Sequence, residues 1–285
     1  MSSNLYSIET GLGGLPKVTV TAPDGGREEV YLHGATVTSW VPAGEAEQHY
    51  VSKTSFFEAD KPIRGGVPVC FPQFGARGGL SMMHGFVRQM GWMFAGAEAQ
   101  ENGGATAHLV KMTNEETRAL WPFDFSLCLD VTLGGRQLEL ALSVTNPGRQ
   151  PFLFGGALHT YFAASEIGDV AVEGLQGCAY TDQTSGDTPR VQDEALVRFD
   201  GLVNRVYAGA PQRAVIVEGR RRVVVSKTGF PDVVVWNAGA EKGAALEDLE
   251  PEGYRKYVCV EAAKVNQTLL QPGETWRGAR GISLE

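Results

Sequence analysis

Glu261 is the residue of this sequence whose type and setting best suit proton-transfer chemistry. It follows the short apolar run of residues 257–260, so it is predicted to lie at the end of a buried strand. Burying a carboxylate costs several kcal/mol unless it is hydrogen-bonded, and desolvation raises its pKa toward neutrality, which suits a general base. Most of the other downstream acids lie in charged segments and are predicted to be solvated; the acids in question are Asp232, Glu241, Glu247, Asp248 and Glu250.

Other classes of catalytic site lack their sequence signatures. The chain has no GxxxxGK[ST] loop, no glycine motif that opens a dinucleotide-binding helix, no HExxH and no GxSxG. Its four cysteines are too far apart for a CxxC motif. We therefore expect no metal and no cofactor, and general acid–base chemistry remains.

The five histidines occur in different contexts. His159 follows a Gly-Gly pair among apolar residues, which is also typical of a hydrogen-bonded core histidine, so this pattern by itself leaves its role open. His84 lies in a segment rich in glycine and arginine. His33 precedes a glycine at a strand break and is a candidate for the pocket or for the scaffold. His49 and His108 lie in polar or alternating contexts and are predicted at the surface.

Residues 61–92 combine three prolines, seven glycines, three arginines and one histidine with an apolar run. A core strand does not need that mixture, whereas a loop that bends sharply and approaches a ligand does. Arg64 and Arg88 adjoin apolar residues, and arginine binds phosphate oxygens in a bidentate manner. Arg77 is equally compatible with a solvated loop. We expect this stretch to line a pocket for a small anionic polyol.

The overall charge bears on the class of partner. The chain has 285 residues and a formal net charge of −8, which argues against nucleic acid or an anionic membrane surface as the partner. The N-terminus lacks the basic and apolar parts of a signal peptide, and no apolar run reaches the ~18 residues of a membrane span. We expect a cytoplasmic monomer with reduced cysteines that binds a small molecule.

Short strands are the elements that must position these residues. Alternating segments separated by turn residues predict three hairpins, namely residues 18–22 with 29–32, 123–133 with 137–144, and 215–217 with 223–226. Residues 180–193 are predicted to form a long surface loop, and Asn114 to cap a helical turn within residues 113–121. No sustained 3.6-residue period, repeat or linker occurs. We predict an all-β sandwich or barrel that forms one domain of residues 1–285.

Five segments, taken in order, resemble the aldose 1-epimerase (galactose mutarotase-like) superfamily. They resemble most its glucose-6-phosphate 1-epimerase branch, also called hexose-6-phosphate mutarotase. The segments are PIRGGVPVCFPQFG at 62–75, MHGFVRQMGW at 83–92, LHTYF at 158–162, DVVVWN at 232–237 and YVCVEAA at 257–263. LQPGETW at 270–276 resembles the closing strand of the family. No single segment is decisive, but their order and spacing are specific.

The resemblance implies a large antiparallel β-sandwich, the galactose mutarotase-like supersandwich, with a few short helical turns. It implies interconversion of the α and β anomers of a hexose 6-phosphate, glucose 6-phosphate in the first place, without a cofactor. His159 is then the general acid and Glu261 the general base, so the reaction starts with His159 protonated and Glu261 ionised. The substrate-binding residues implied are Arg64, Gln73, His84, Arg88 and Asp232.

Two positions depart from the family pattern and leave the sugar preference open. Met83 stands where members often have glutamine, and Asn204 where they often have an acidic residue. One alternative function is a mutarotase for neutral aldohexoses. Another is a non-catalytic carbohydrate-binding module, because a sandwich fold does not by itself define an activity.

Overall fold

The computed structural model describes residues 5–285, which form 21 β-strands and two short α-helices. The strands are β1 (Tyr6–Thr10), β2 (Pro16–Thr21), β3 (Arg27–Tyr31), β4 (Thr36–Val41), β5 (Val69–Cys70), β6 (Met93–Ala99), β7 (Ala105–Met112), β8 (Ser126–Gly134), β9 (Gln137–Thr145), β10 (Phe152–Leu158), β11 (Tyr161–Ala163), β12 (Val170–Glu173), β13 (Ala179–Asp182), β14 (Thr188–Val191), β15 (Leu196–Val197), β16 (Val203–Tyr207), β17 (Arg213–Glu218), β18 (Arg221–Thr228), β19 (Asp232–Asn237), β20 (Tyr257–Leu270) and β21 (Thr275–Leu284). The helices are α1 (Glu115–Leu120) and α2 (Gly239–Ala244), and 3-10 turns occupy Leu12–Gly14, Val87–Gln89, Ile167–Asp169 and Gly253–Lys256. Each of these helices has six residues, far fewer than a membrane crossing requires.

The strands assemble into three antiparallel sheets around a shared hydrophobic core. The four-stranded sheet has the order β1-β2-β3-β4, and the nine-stranded sheet the order β15-β12-β17-β18-β21-β9-β8-β7-β6. The eight-stranded sheet has the order β14-β13-β16-β19-β20-β10-β5, and β11 also pairs with β20. The prediction of an all-β, antiparallel fold with few helical turns is therefore confirmed.

The local predictions from alternation and turn residues are mostly confirmed. The three predicted hairpins are β2–β3, β8–β9 and β17–β18. Asn114 caps α1, because its side chain accepts a hydrogen bond from the Thr117 amide at 2.9 Å. The surface-loop prediction for residues 180–193 is wrong, since this segment contains parts of β13 and β14, which pair with each other at the sheet edge. An edge strand tolerates polar residues on both faces, so their presence did not exclude a strand.

Strand β20 is an interior strand of the eight-stranded sheet, between β19 and β10. Its residues 257–265 are buried on both faces of the sheet. Because side chains alternate along a strand, Val258, Val260 and Ala262 face the core between the sheets. Glu261 therefore faces the opposite side, with Cys259 and Ala263. This side of the sheet carries the candidate site.

Residues 61–92 form an irregular segment that packs against the same sheet. Its short strand β5 pairs with β10, with Val69 opposite Leu158. Gly156 permits this close approach, because a Cβ there would collide with the carbonyl oxygen of Cys70. The pairing brings the glycine-rich and arginine-containing segment beside the end of β10, where His159 follows.

Candidate active site

His159 and Glu261 face each other across two paired strands. The register places Leu158 opposite Ala262 on β10 and Tyr161 opposite Cys259 on β11, so residues 159 and 261 lie opposite each other between these pairs. The Nε2 atom of His159 lies 3.4 Å from Oε1 of Glu261. Both side chains are buried, with relative exposures of 10% and 2%. The structure thus brings together the two residues that the sequence suggested for proton transfer, 102 positions apart in the chain.

Burial moves the pKa values of the pair in opposite directions. Burial, followed by the positive charges of Arg88 and Arg64, lowers the pKa of His159 from 6.5 to about 3. Burial raises the pKa of Glu261 well above 4.5, although Arg280 and Arg88 oppose the rise. In the unliganded protein a proton on the pair therefore resides on Glu261. This corrects the expected starting state, in which His159 was protonated and Glu261 ionised.

Tyr161 connects His159 to Arg64. Its ring stacks on the imidazole of His159, with centroids 4.9 Å apart and planes 13° apart. Its hydroxyl accepts a hydrogen bond from Nη1 of Arg64 at 3.2 Å. The remaining side of the Arg64 guanidinium meets Asp248, with Nε and Nη2 at 3.1 and 3.0 Å from Oδ2. Arg64 is thus placed beside His159 and Glu261, and its charge is already partly balanced.

Asp248 corrects one expectation from the sequence. It was predicted to be solvated, but it is only 6% exposed and pairs with Arg64. The two residues are 184 positions apart, so no local pattern points to the pair.

Tyr161 was also missed, although its position two residues after His159 in an extended segment puts both side chains on one face. That spacing was the available signal.

Arg88 is the less engaged of the two arginines. Its Nη2 donates a hydrogen bond to the carbonyl oxygen of Met83 at 2.8 Å. Its Nε is buried and has no hydrogen-bond partner among residues 5–285. The side chain of Met83, at one of the positions that departs from the family pattern, is 56% exposed. Residue 83 therefore meets Arg88 through its backbone rather than its side chain.

His84 has a defined tautomer when neutral. Its Nδ1 accepts a hydrogen bond from the Gly75 amide at 3.1 Å, so the ring proton is on Nε2. Burial, with Arg88, His159 and Arg64, lowers its pKa well below 6.5. Its ring lies 5.5 Å from that of His159, centroid to centroid. His84 is therefore a neutral Nε2–H donor next to His159.

Gln73 and Asp232 use their polar atoms within the protein. The Gln73 amide nitrogen donates to the carbonyls of Gly75, Leu80 and Met82, and its oxygen accepts from the Leu80 amide. The side chain is fully buried. This geometry favours a role in shaping the loop over direct contact with a sugar.

Asp232 lies on the same face of the sheet as Glu261. It is two residues away from Val234, which is the cross-strand partner of Glu261. It is only 4% exposed. Its two oxygens accept hydrogen bonds from the amides of Gly209 and Val265, at 3.2 and 2.8 Å. Asp232 thus holds neighbouring backbone in place next to the site.

Two further histidines are buried, and one of them was predicted at the surface. His33 is buried, and its Nε2 is 2.7 Å from the carbonyl oxygen of Lys61, so it belongs to the scaffold rather than to a pocket. His49, predicted at the surface, is 3% exposed. Its ring lies between Trp40 and Phe162, with centroid distances of 6.2 and 6.3 Å.

A surface cavity of about 760 Å³ is lined by neither His159 nor Glu261. Its lining includes Lys53, Glu166, Glu250 and Arg255, but none of the predicted site residues. Glu250 accepts hydrogen bonds from neighbouring hydroxyl and amide groups, and Glu166 pairs with Arg255. The carboxylates of Glu166 and Glu250 are thus engaged within the protein. No cluster of three or more metal-ligating side chains occurs within residues 5–285.

Comparison with known proteins identifies the family. The family model described as aldose 1-epimerase matches residues 16–283, which is nearly the whole chain. The chain belongs to the aldose 1-epimerase family. A Cenchrus ciliaris protein named "Putative glucose-6-phosphate 1-epimerase" is 35% identical over 280 residues, which cover 95% of this chain and 85% of that protein. An Escherichia coli K12 protein of the same name is 34% identical over 241 residues, which cover 83% of this chain and 79% of that protein.

A solved structure supports the same family assignment. The crystal structure of "a putative mutarotase (YeaD)" from Salmonella typhimurium superposes with a TM-score of 0.90 at 29% identity, and covers 100% of this chain and 95% of that one. This aldose 1-epimerase is thus an isomerase of the mutarotase type, and the galactose mutarotase-like fold implied by the sequence is confirmed.

Proposed function

We propose that the protein interconverts the α and β anomers of a hexose 6-phosphate, with glucose 6-phosphate as the first candidate. The observation that carries the proposal is the proximity of two arginines, Arg64 and Arg88, to the facing pair His159 and Glu261. Both cations lie close enough to lower the pKa of His159. The relatives whose printed name is "Putative glucose-6-phosphate 1-epimerase" add support for a phosphorylated sugar.

Two proton transfers account for the reaction. Glu261 takes the proton of the C1 hydroxyl while His159 gives a proton to the ring oxygen, and the bond between C1 and the ring oxygen breaks. Rotation about the C1–C2 bond turns the carbonyl, and the reverse transfers close the ring on its other face. Each positioned group contributes about 10²–10⁴-fold. The protein regains its starting protonation at the end of each cycle.

The substrate phosphate assists the first transfer. In the unliganded site the proton of the pair resides on Glu261, which is the distribution that follows ring opening. A phosphate dianion at Arg64 and Arg88 offsets the positive field that lowers the pKa of His159. Binding therefore raises the pKa of His159, on which both arginines act, more than that of Glu261, on which only Arg88 of the two acts, and the proton of the pair shifts toward His159. This coupling favours a phosphorylated sugar over a neutral one.

A mutarotase for neutral aldohexoses is the second candidate. The observation that favours it is the engagement of Arg64, whose guanidinium already contacts Asp248 and Tyr161. Such an arginine has less free hydrogen-bonding capacity for a phosphate. Turnover of the two substrate types distinguishes the candidates.

Anomer exchange measured by polarimetry or exchange NMR on fresh α-anomer tests the proposal. We expect acceleration of glucose 6-phosphate exchange over buffer, and a loss in kcat/KM of at least about 10²-fold in His159→Ala and in Glu261→Gln. Faster exchange of free glucose than of its 6-phosphate supports the neutral-sugar mutarotase instead. No acceleration by the intact protein with either sugar supports the binding module.

A further inference from the structure

Arg280 on β21 is a buried cation without a partner. It is 2% exposed, and its Nε and Nη2 atoms are buried with no hydrogen-bond partner among residues 5–285. No carboxylate of the same residues lies within 4.0 Å of its guanidinium. Removing a charge from water costs several kcal/mol, and this cost is offset only by a close partner. The stability of the fold therefore does not explain why the core contains this arginine.

The guanidinium of Arg280 lies directly behind the catalytic strands. It is 5.3 Å from the centroid of the Phe162 ring. Phe162 belongs to the core between the sheets, whereas the preceding Tyr161 faces the site. In the register of β11 with β20, Phe162 is opposite Val258, three residues before Glu261. Arg280 is thus on the core side of the strand that presents Glu261 on its other side.

We propose that Arg280 is a positioning residue for the reaction, a fixed cation behind β20 that stabilises the ionised carboxylate of Glu261. The proposal rests on the function proposed above, in which Glu261 accepts the proton of the C1 hydroxyl. The ionised carboxylate is needed when the substrate binds, but burial disfavours it. A cation on the core side of the strand opposes this effect without occupying space that the sugar requires.

The electrostatics of the site agree with this geometry. Apart from burial, Arg280 has the largest effect on the pKa of Glu261, ahead of Arg88. The effect is mutual, because Glu261 is the main group that opposes the lowering of the Arg280 pKa by burial. That pKa falls only to about 9, so Arg280 is charged at neutral pH.

Apart from Arg88, the other titratable groups around these two residues are neutral at pH 7. Around Glu261 they are Cys70, Cys259, Tyr161, His159 and Arg88, and around Arg280 they are Cys259 and His49. Burial raises the pKa of both thiols and of the Tyr161 phenol, and it lowers the pKa of both histidines. Arg280 and Arg88 are therefore the two charges that act on Glu261 at neutral pH.

Lys227 provides an internal comparison. It is directly opposite Arg280 in the register of β18 with β21, and it is 5% exposed. Unlike Arg280, it donates hydrogen bonds to three carbonyl oxygens, those of Ala210, Phe230 and Pro231. Lys227 thus stabilises a loop, whereas Arg280 has no such use.

Removal of the Arg280 charge has a defined effect on the pH dependence of kcat/KM. The pair holds its proton mainly on Glu261, because the pKa of Glu261 is raised and that of His159 is lowered. The upper limb of the profile, the fall of kcat/KM at high pH, therefore follows the loss of this proton. Without Arg280 this proton is held more tightly. The upper limb then moves to higher pH, and the plateau falls because less of the protein has Glu261 ionised and His159 protonated.

The test compares Arg280→Met with Lys227→Met, using kcat/KM for glucose 6-phosphate between pH 5 and 10 and the thermal unfolding midpoint. For Arg280→Met we expect the plateau of kcat/KM to be about 10-fold lower and its upper limb to lie about one pH unit higher. The thermal unfolding midpoint is expected to be unchanged or higher. For Lys227→Met we expect a lower midpoint, because three carbonyls lose their donor, and an unchanged upper limb. Arg280→Lys, which keeps a positive charge, is expected to restore part of the plateau.

Two outcomes overturn the proposal. One is an Arg280→Met variant with the pH profile and plateau of the wild type. The other is an Arg280→Met variant that resembles Lys227→Met, with a lower midpoint and an unmoved upper limb, which indicates a structural role. Both presuppose an active wild type that loses activity in Glu261→Gln. If Glu261→Gln remains fully active, the proposed role of Glu261 as the base is wrong, and the premise of the Arg280 proposal falls with it.

Discussion

His159 and Glu261 are cross-strand neighbours, and their proximity makes their protonation a property of the pair. Desolvation disfavours the charged form of each residue, so it lowers the pKa of the histidine and raises that of the carboxylate. One proton is then held between them over a broad pH range. A pair of this kind transfers a proton in either direction with little change in its surroundings, which suits a reversible reaction.

The unpartnered Nε of Arg88 leads to a prediction on substrate binding. Replacing Arg88 by methionine removes a charged donor, and a hydrogen bond to a charged partner contributes about 1.5–3 kcal/mol. We expect KM for glucose 6-phosphate to rise about 10- to 150-fold. KM for free glucose, measured in the same anomer-exchange assay, is expected to change little.

Arg77→Met is the matched control for Arg88→Met. Arg77 lies in the same glycine-rich stretch but is exposed and pairs with Asp187. Its replacement is expected to leave both KM values unchanged. Equal effects of Arg88→Met on glucose and on its 6-phosphate contradict a role in phosphate binding.

The element that positions His84 is the loop of residues 73–84, and Gln73 holds this loop together. Its carboxamide binds three carbonyls and one amide of the loop. His84 in turn contacts Gly75 through its Nδ1 and its backbone amide. Its φ of 65° is unusual for a residue other than glycine, so the backbone depends on these bonds.

Gln73→Ala is predicted to loosen the loop. Buried carbonyls lose their donor, which costs about 1–3 kcal/mol of unfolding free energy in urea denaturation. We expect a higher KM, because His84 loses its fixed position, and a smaller change in kcat. Gln176→Ala is the control, since Gln176 is exposed and donates only to the Asp193 carbonyl. A Gln73→Ala variant with unchanged KM and stability contradicts this role.

At the scale of the whole molecule, buried neutral histidines make stability depend on pH. His49 has two buried ring nitrogens without a partner among residues 5–285, and burial, with Arg280 and Arg221, lowers its pKa from 6.5 to about 3. The folded protein thus keeps His49 neutral at a pH at which the unfolded chain protonates it. The stability associated with His49 is complete above pH 6.5 and is lost as the pH falls toward 3.

His49→Phe is predicted to remove this dependence. A phenyl ring suits the space between Trp40 and Phe162 and does not titrate. The unfolding free energy of the variant minus that of the wild type is expected to be about 2 kcal/mol larger at pH 5 than at pH 7.5. Urea denaturation at both pH values measures this difference. A difference that stays the same at the two pH values contradicts a neutral buried His49 in the folded state.

Local chemistry in the sequence was sufficient for much of the architecture. Alternation in β8 and β9, and turn residues between them, are nearest-neighbour effects that a chain expresses before it folds. Glu261 was recognised in the same way, as an acid at the end of an apolar run, because burial of a carboxylate costs free energy at any position. Apolar neighbours drew attention to Arg64 and Arg88, the segments that resemble the family added a role for His159, and the family assignment was confirmed.

Only the tertiary structure decided which groups meet and what charge they have. Asp248 and Arg64 are 184 residues apart, and no local pattern encodes their contact. Gln73 and Asp232 were expected at the sugar, but the folded chain engages them in hydrogen bonds with its own backbone. The protonation of His159 and Glu261, and the burial of His49 and Arg280, depend on how completely three sheets exclude water. Desolvation and long-range charge are properties of the assembled core, and the order of residues along the chain does not contain them explicitly.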